Sequence, residues 1–282
     1  MAEQTESPRR NVTGVRVTAV RDGSAGERPD RVATEEPMEI RVGGPGQEPG
    51  PIAVTMRTPG GDFELAAGFL FTEGLIHSAE EIAKVSYCEL PPEEQHYNVV
   101  TVRLAHDFDH ESVSRNFYST SSCGICGKAS LEDVHVRCKP IGEGPVVAGT
   151  VISRLPDALL EGQQVFEQTG GLHASGLFDT DGKLLSLRED VGRHNAVDKL
   201  VGEALLAARL PLSERIMQVS GRVSFEIVQK AAVAGIPIVC AVSAPSSLAV
   251  EAAEDLGVTV VGFVRDDRFN VYSHPERVDL AG

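Results

Sequence analysis

The sequence predicts an α/β protein: a C-terminal sheet of parallel strands with helical crossovers, preceded by a smaller α+β unit. Three observations carry this. From Arg215 onward, short apolar runs alternate with amphipathic ones: Arg215–Val219, Phe225–Ala234, Pro237–Val242, Leu248–Leu256 and Val258–Val264. Strand and helix alternating at this spacing means βαβ units with right-handed crossovers. Gly235 and Gly257 stand where helix C-caps belong, since glycine enters the left-handed conformation without a Cβ penalty. The chain has 282 residues, more than one average domain of about 150 residues.

The elements follow in order. Residues 1–10 and 21–37 are polar and read as mobile or lightly anchored, with a weakly alternating strand, Val12–Val20, between them. Met38–Val42 and Ile52–Arg57 read as strands around the Gly/Pro loop Gly43–Pro51. Asp62–Ile76 reads as a helix with Leu65, Phe69, Leu70 and Leu75 mostly on one face. Tyr97–Leu104 alternates as a strand. Ser119–Gly127 is small, glycine-rich and without period, which makes it a loop exposed between domains. Ser153 is an N-cap for a helix running to about Gln168 and ended by Gly170-Gly171. A hairpin follows, Leu172–Phe178 and Lys183–Arg188 around Asp179–Gly182, and Asp190 caps the next helix, whose stripe is Val197, Leu200, Val201, Ala204, Leu205 and Ala208. The division is a flexible tail over 1–11, a small α+β domain over 12–112, a mobile Cys-x2-Cys loop region over 113–150 and an α/β cofactor-binding domain over 151–282.

Composition excludes several classes. With 26 Lys+Arg against 41 Asp+Glu, the net charge is −15, which argues against nucleic acid as a partner. The apolar runs are too short for a membrane span of about 20 residues, and Arg9-Arg10 is followed by no apolar export segment. Five cysteines, an odd number in a large chain, read as reduced thiols in a cytoplasmic protein.

Ligands of open α/β sheets bind outside the carboxyl ends of the strands. Those ends are three loops here: Ser220-Gly221-Arg222-Val223-Ser224, Ser243-Ala244-Pro245-Ser246-Ser247, and Arg265-Asp266-Asp267-Arg268-Phe269-Asn270. Two lead into helix N-termini, whose free N–H groups suit an anion, and Arg222, Arg265 and Arg268 add positive charge. A phosphorylated or nucleotide-like ligand is implied. The plain alternative is that the serines cap helices and the arginines form surface ion pairs. Arg188-Glu189-Asp190-Val191-Gly192-Arg193-His194-Asn195 follows a strand and opens a helix. Cations in a first helical turn oppose the dipole, so Arg193 and His194 hold an anion or a carboxylate such as Glu189 or Asp190, or belong to a buried salt-bridge knot. His173 faces the same cleft or is structural. No Walker motif and no GxGxxG after a strand is present.

Cys123-Gly-Ile-Cys126 admits three readings. It is a reactive thiol pair, its pKa lowered by a following helix and Lys128, able to attack or to carry a second sulfur as a persulfide. It is half of a zinc site, Cys-x2-Cys-x8-His-x2-Cys, completed by His135 and Cys138. Or it is a pair of buried small hydrophobes, which the surrounding Ser and Gly disfavour. Cys88, Cys138 and Cys240 read as core or incidental residues.

Taken together, Tyr118–Gly127, Gly170-Gly-Leu-His-Ala174, Leu187–Lys199, Ser220-Gly-Arg222, Ser243–Ser247 and Gly262-Phe-Val-Arg265 resemble the formate dehydrogenase accessory protein family, FdhD, across residues 12–280. The resemblance implies a sulfurtransferase. It would take persulfide sulfur from a cysteine desulfurase and pass it to the molybdenum cofactor, Mo-bis(molybdopterin guanine dinucleotide), which is its bound substrate. The formate dehydrogenase apo-enzyme is the partner served. By the family's pattern Cys123 carries the persulfide, with Cys126 as partner or second carrier. Phe263, Val264, Arg265, Asp266, Asp267 and Arg268 match the family's cofactor-binding stretch, and Ser220, Gly221, Arg222, Ser243, Ser246, His173, Arg193 and His194 fall in the accompanying motifs. The α/β half resembles a cytidine-deaminase-type sheet, but no His-x-Glu stands at His173 and Ser122 replaces the expected Pro, so a deaminase is disfavoured and no metal is expected. A homodimer suits a cofactor with two guanine ends. The alternatives are a non-catalytic cofactor escort for the apo-enzyme and a zinc-dependent nucleotide enzyme.

Overall fold

The computed structural model describes residues 9–88, 94–110 and 140–280. Strands β1 (Val12–Arg21) and β2 (Ser24–Ala33) form a separate two-stranded hairpin. Its second strand occupies much of the segment read as mobile. Ser24–Ala33 has no alternating pattern because both its faces are largely exposed; the ladder to β1 runs its whole length.

Strands β3 (Glu36–Gly43) and β6 (Val99–Leu104) pair in parallel at the centre of a four-stranded sheet, β4 (Gly50–Arg57)–β3–β6–β5 (Ile82–Tyr87). Met38, Ile40 and Val42, like Val100, Val102 and Leu104, are buried at alternate positions, the period that points one face inward. Helix α1 (Asp62–Thr72) adds Leu65, Ala66 and Leu70 to that core. It stops before Ile76, at a turn through Gly74.

A short strand, β7 (Val147–Ala148), pairs in parallel with β14 (Val278–Asp279), and the larger second sheet has the order β13 (Arg268–Val271)–β12 (Thr259–Arg265)–β11 (Ile238–Ala241)–β10 (Ile216–Val219)–β8 (His173–Phe178)–β9 (Leu184–Asp190). β10, β11 and β12 run parallel, as the alternation predicts; β8 pairs antiparallel with both β10 and β9, and β13 antiparallel with β12. Met217, Val239 and Val260 join the core that contains helices α5 (Arg193–Leu206), α6 (Phe225–Val233) and α7 (Ser247–Leu256). Ile216, Ile238 and Cys240 join the second core, with Ile152, Leu155 and Leu159. Strands covered on both faces read as continuous apolar runs, which is why they were visible. Cys240 is fully buried, and burial pushes its thiol pKa far up. Gly235 and Gly257 have φ of 74° and 70°, as their cap positions require.

Three readings change. The single helix expected from Ser153 to Gln168 is two, α3 (Leu155–Gly162) and α4 (Gln164–Thr169), and Ser153 is not their N-cap but the C-cap of a short preceding helix, α2 (Gly149–Ile152). The break at Gln163 frees the start of α4, where the Glu189 carboxylate accepts N–H bonds from Val165 (3.0 Å) and Phe166 (2.8 Å). Asp190 does not cap α5; it ends β9, and Gly192 is the N-cap. The loop expected over Arg265–Asn270 is a hairpin, with Arg265 paired to Arg268 and Asp266 left-handed at φ 49° in the turn.

The two sheets are joined through α1 and α5, which cross at two glycines. A Cβ on Gly68 would lie 1.8 Å from the Asp198 carbonyl oxygen, and one on Gly202 would lie 1.9 Å from the Glu64 carbonyl oxygen.

Candidate functional site

The three loops beyond β10, β11 and β12 form one connected rim. Ser220 extends the β10–β8 ladder: its N–H donates to the Ala174 carbonyl (3.0 Å), and its Oγ accepts from the Ala174 N–H (2.8 Å). Val223 N–H donates to the Ala244 carbonyl (3.3 Å), and Ser246 N–H donates to the Val223 carbonyl (3.0 Å). Phe263 N–H donates to the Ser243 carbonyl (3.2 Å). Ser246 is an ordinary cap, its Oγ accepting from Ala249 N–H. Ser224 is different. It stands at the N-cap of α6, yet its hydroxyl meets His194 Nε2 at 3.1 Å instead of capping its own helix. The N-termini of both α5 and α6 therefore lack a side-chain cap.

His173, Gly221 and Arg193 come together beside this rim. A Cβ on Gly221 would lie 3.3 Å from His173 Nδ1 and 3.8 Å from Arg193 Cδ, so a side chain there would crowd both. Arg193 Nε is buried and has no hydrogen-bond partner among the described residues. A buried guanidinium donor is costly to leave unpaired, and an anionic group brought to the rim would satisfy it. Burial, and then Arg193, lowers the His173 pKa.

His194 is not the cation that its place in the sequence suggested. Burial chiefly, together with the positive charges of Lys230 and Arg193, pushes its pKa down to about 4 against the pull of Glu226 and Glu73. The imidazole is neutral at pH 7, and its Nε2 shares a hydrogen bond with the Ser224 hydroxyl. The unfolded chain then binds a proton that the folded chain refuses between pH 6.5 and about 4, so stability is lost as pH drops through that window. We expect the stability difference between the wild type and His194→Asn, from urea midpoints, to move against the wild type on going from pH 7 into that window. A difference constant with pH would refute it.

The motif around Asp190 divides. Asp190 is fully buried and receives Thr58 N–H (3.1 Å), Gly192 N–H (2.8 Å), Asn195 Nδ2 (3.1 Å) and Lys199 Nζ (2.6 Å). Arg188 pairs with Glu64 through two hydrogen bonds of 2.5 and 2.7 Å. This part is the salt-bridge knot, and it locks the β4–α1 loop against the β9–α5 turn. Glu189 and Asp190 are thus engaged elsewhere and do not serve Arg193 or His194. Thr58 escaped the sequence reading because its partner Asp190 lies more than one hundred residues away; Asn195 and Lys199 stood within the Leu187–Lys199 motif, but their bonds to Met56 and Thr58 reach equally far. A cavity of about 600 Å³ opens beside the knot, between Gly60–Glu64, Tyr87 and Arg188-Glu189. A second buried group, Lys230 with Asp198 (2.9 Å), Glu73 (3.0 Å) and Thr72 (2.8 Å), ties α6 to α5 and α1.

On β12, Phe263 is 41% exposed and left-handed at φ 54°, at the irregularity between Gly262 and Arg265. A bulky residue in that region is a backbone outlier, and such strain concentrates at functional sites. Arg222, Arg265, Asp266, Asp267 and Arg268 are exposed, whereas the Val264 side chain is buried in the second core. Cys123 and Cys126 lie outside the described residues, as do His135 and Cys138. Among the described residues, no group of three or more His, Cys, Asp or Glu is placed to hold a metal, and no helix is long and apolar enough to cross a membrane.

Comparison with known proteins gives concordant findings. A family model described as the FdhD/NarQ family matches residues 33–279. The sulfur carrier protein FdhD of Mycolicibacterium paratuberculosis is 51% identical over 269 residues, covering 93% of this chain and 97% of that protein. The protein of the same name from Sulfolobus acidocaldarius is 46% identical over 266 residues, covering 94% and 98%. The crystal structure of a formate dehydrogenase accessory protein from Desulfotalea psychrophila matches with a TM-score of 0.72 at 28% identity, over 96% of this chain and 100% of that one.

Proposed function

The chain belongs to the FdhD/NarQ family, and from that premise we propose that it is a cytoplasmic sulfur carrier and sulfurtransferase for the molybdenum cofactor of formate dehydrogenase. The donor is a cysteine desulfurase. The cargo is Mo-bis(molybdopterin guanine dinucleotide), delivered sulfurated to the apo-enzyme. Two copies of the chain would take the two guanine ends.

In the first step the Cys123 thiolate attacks the terminal sulfur of the donor's persulfide. A sulfur–sulfur bond forms on Cys123, and the donor leaves as its thiolate. In the second step the Cys126 thiolate attacks the inner sulfur of the Cys123 persulfide. A Cys123–Cys126 disulfide forms, the outer sulfur departs as sulfide for the metal, and the two thiols supply its two electrons. A dithiol reductant then resets the pair.

The observation that supports the cargo assignment is the buried, unpartnered Arg193 Nε at a rim where α5 and α6 present uncapped N-termini. Helix N-termini and guanidinium groups bind phosphate. Gly221 leaves the space next to His173 and Arg193, Arg222 adds charge at the mouth, and exposed Phe263 offers an aromatic face to a base. Neutral His194 keeps Ser224 Oγ fixed without adding charge.

The test is peptide mass spectrometry after incubation with a cysteine desulfurase and cysteine, without reductant. One added sulfur on the peptide holding Cys123 and Cys126, lost with dithiothreitol, is expected. No added sulfur with both thiols alkylatable would favour the escort function instead. Thiols protected until a chelator is added would favour zinc.

A further inference from the structure

The β1–β2 hairpin stands out from the body. Its strands pair in unbroken antiparallel register from Val12 with Ala33 to Arg21 with Ser24, and among the described residues neither joins another strand. At about 3.3 Å per residue such an arm is roughly 30 Å long. Its ties to the body lie at the open end. Thr34 N–H donates to the Asn11 carbonyl (2.9 Å), the Thr13 and Thr34 hydroxyls meet at 2.7 Å, and Arg31 donates to Gln168 (3.3 Å). Every residue from Val20 to Pro29 is exposed, Val20 by 68%. An isolated two-stranded hairpin is marginal in water, so an arm of this length calls for a surface to lie on. Pro29 lacks the N–H that a further strand would use, which favours contact through the face of the hairpin over strand addition.

Charge identifies the surface. Residues 9–33 hold six arginines and three carboxylates, a net +3, so the rest of this −15 chain carries −18. The hairpin's internal pairs, Arg16 with Glu27 and Arg28 with Asp30, are long at 3.7 Å each and exposed, and such pairs contribute little. The body offers faces of opposite sign: on α7, Glu251, Glu254 and Asp255 are exposed, and the helix contains no Lys or Arg. We propose that the β1–β2 hairpin is a docking arm that lies on the acidic body of a second copy of this chain, with the exchange reciprocal. A two-fold pair makes each contact twice. This rests on the two-copy arrangement given under Proposed function.

The test uses the full chain. Sedimentation velocity over a concentration series, at low and high salt, gives the dimer dissociation constant for the wild type and for the double variant Arg21→Glu, Arg28→Glu, both exposed positions whose replacement leaves the core untouched. Hydrogen exchange of the β1–β2 amides is followed at the same concentrations. We expect a dimer weakened about tenfold or more by the double variant and by salt, with arm amides protected in the dimer and unprotected on dilution to monomer. A dimer unchanged in the variant, with arm amides unprotected throughout, overturns the arm and leaves the two-copy arrangement standing. A chain that stays monomeric at the highest concentration overturns both.

Discussion

Cys123→Ala should abolish activation of formate dehydrogenase, down to the level seen without the protein, while the chain folds normally and still binds guanosine diphosphate within about twofold. The reasoning is chemical. In the proposed sequence Cys123 is both the group that takes the sulfur and the group that holds it, and no alanine atom can do either. Nucleophile removal costs orders of magnitude because no alternative path shares its intermediate. The proposed nucleotide contacts come from Arg193, Gly221 and Ser224, none of which the substitution alters, so binding should survive. Cys126→Ala separates the steps: sulfur should still load on Cys123 but leave slowly, because the attack on the inner sulfur is gone. Two measurements check the pair, formate dehydrogenase activity after maturation with each variant and calorimetric binding of guanosine diphosphate. Normal activation by Cys123→Ala would end the carrier mechanism and leave the escort.

The largest structural effect should come from Gly68→Ala. Its new methyl would sit 1.8 Å from the Asp198 carbonyl oxygen, far inside van der Waals contact. The obstacle is backbone, so no rotamer change relieves it. The helices must separate, and separation disturbs two things at once. Leu65, Val197 and Val201 lose the shared core between the sheets. The buried Lys230 bridge to Asp198, Glu73 and Thr72 is stretched, and breaking a buried pair costs about 3–5 kcal/mol. Overpacking alone costs about 1–3 kcal/mol. The sum rivals the whole stability of an ordinary domain, so we expect insoluble or molten protein. Gly202→Ala, whose methyl would sit 1.9 Å from the Glu64 carbonyl oxygen, should behave alike. By contrast Gly14→Ala, which meets nothing within 4 Å, should change the thermal midpoint little. A cooperative, near-wild-type melt for Gly68→Ala would disprove the crossing as drawn.

Legibility in the sequence followed the physical source of each element. The parallel strands and their helices were readable because burial on both faces leaves apolar runs, and because Gly235 and Gly257 punctuate them. β2 was not readable: a strand exposed on both faces has no period, and Pro29 within it argues against a strand. The break at Gln163 was hidden because its cause, the Glu189 carboxylate at the start of α4, lies 24 residues from Val165. Asp266-Asp267 between two arginines concealed a hairpin whose turn needs the left-handed conformation. Local chemistry placed Ser220, Gly221 and Ser246 in the loops at the strand ends and Arg193 and His194 in the first turn of a helix, where they are found. What local chemistry could not supply was the charge state of His194, set chiefly by burial and then by Lys230 from another helix, or the Thr58 partner of Asp190, drawn from the β4–α1 loop. Phe263 entered through family resemblance, and no local pattern announces its strained backbone.

The burial of Cys240 gives the protein an internal clock. Its sulfur sits in the middle of β11 with no exposed surface, and its thiol is held protonated by that burial. An alkylating reagent can reach it only when the sheet around β11 opens, so its labelling rate counts openings of that sheet. The mass spectrum that looks for sulfur on the Cys123–Cys126 peptide therefore carries a second reading from the Cys240 peptide at no extra cost in sample. A variant that loses function with the Cys240 clock unchanged has lost chemistry; one whose clock runs fast has lost its architecture.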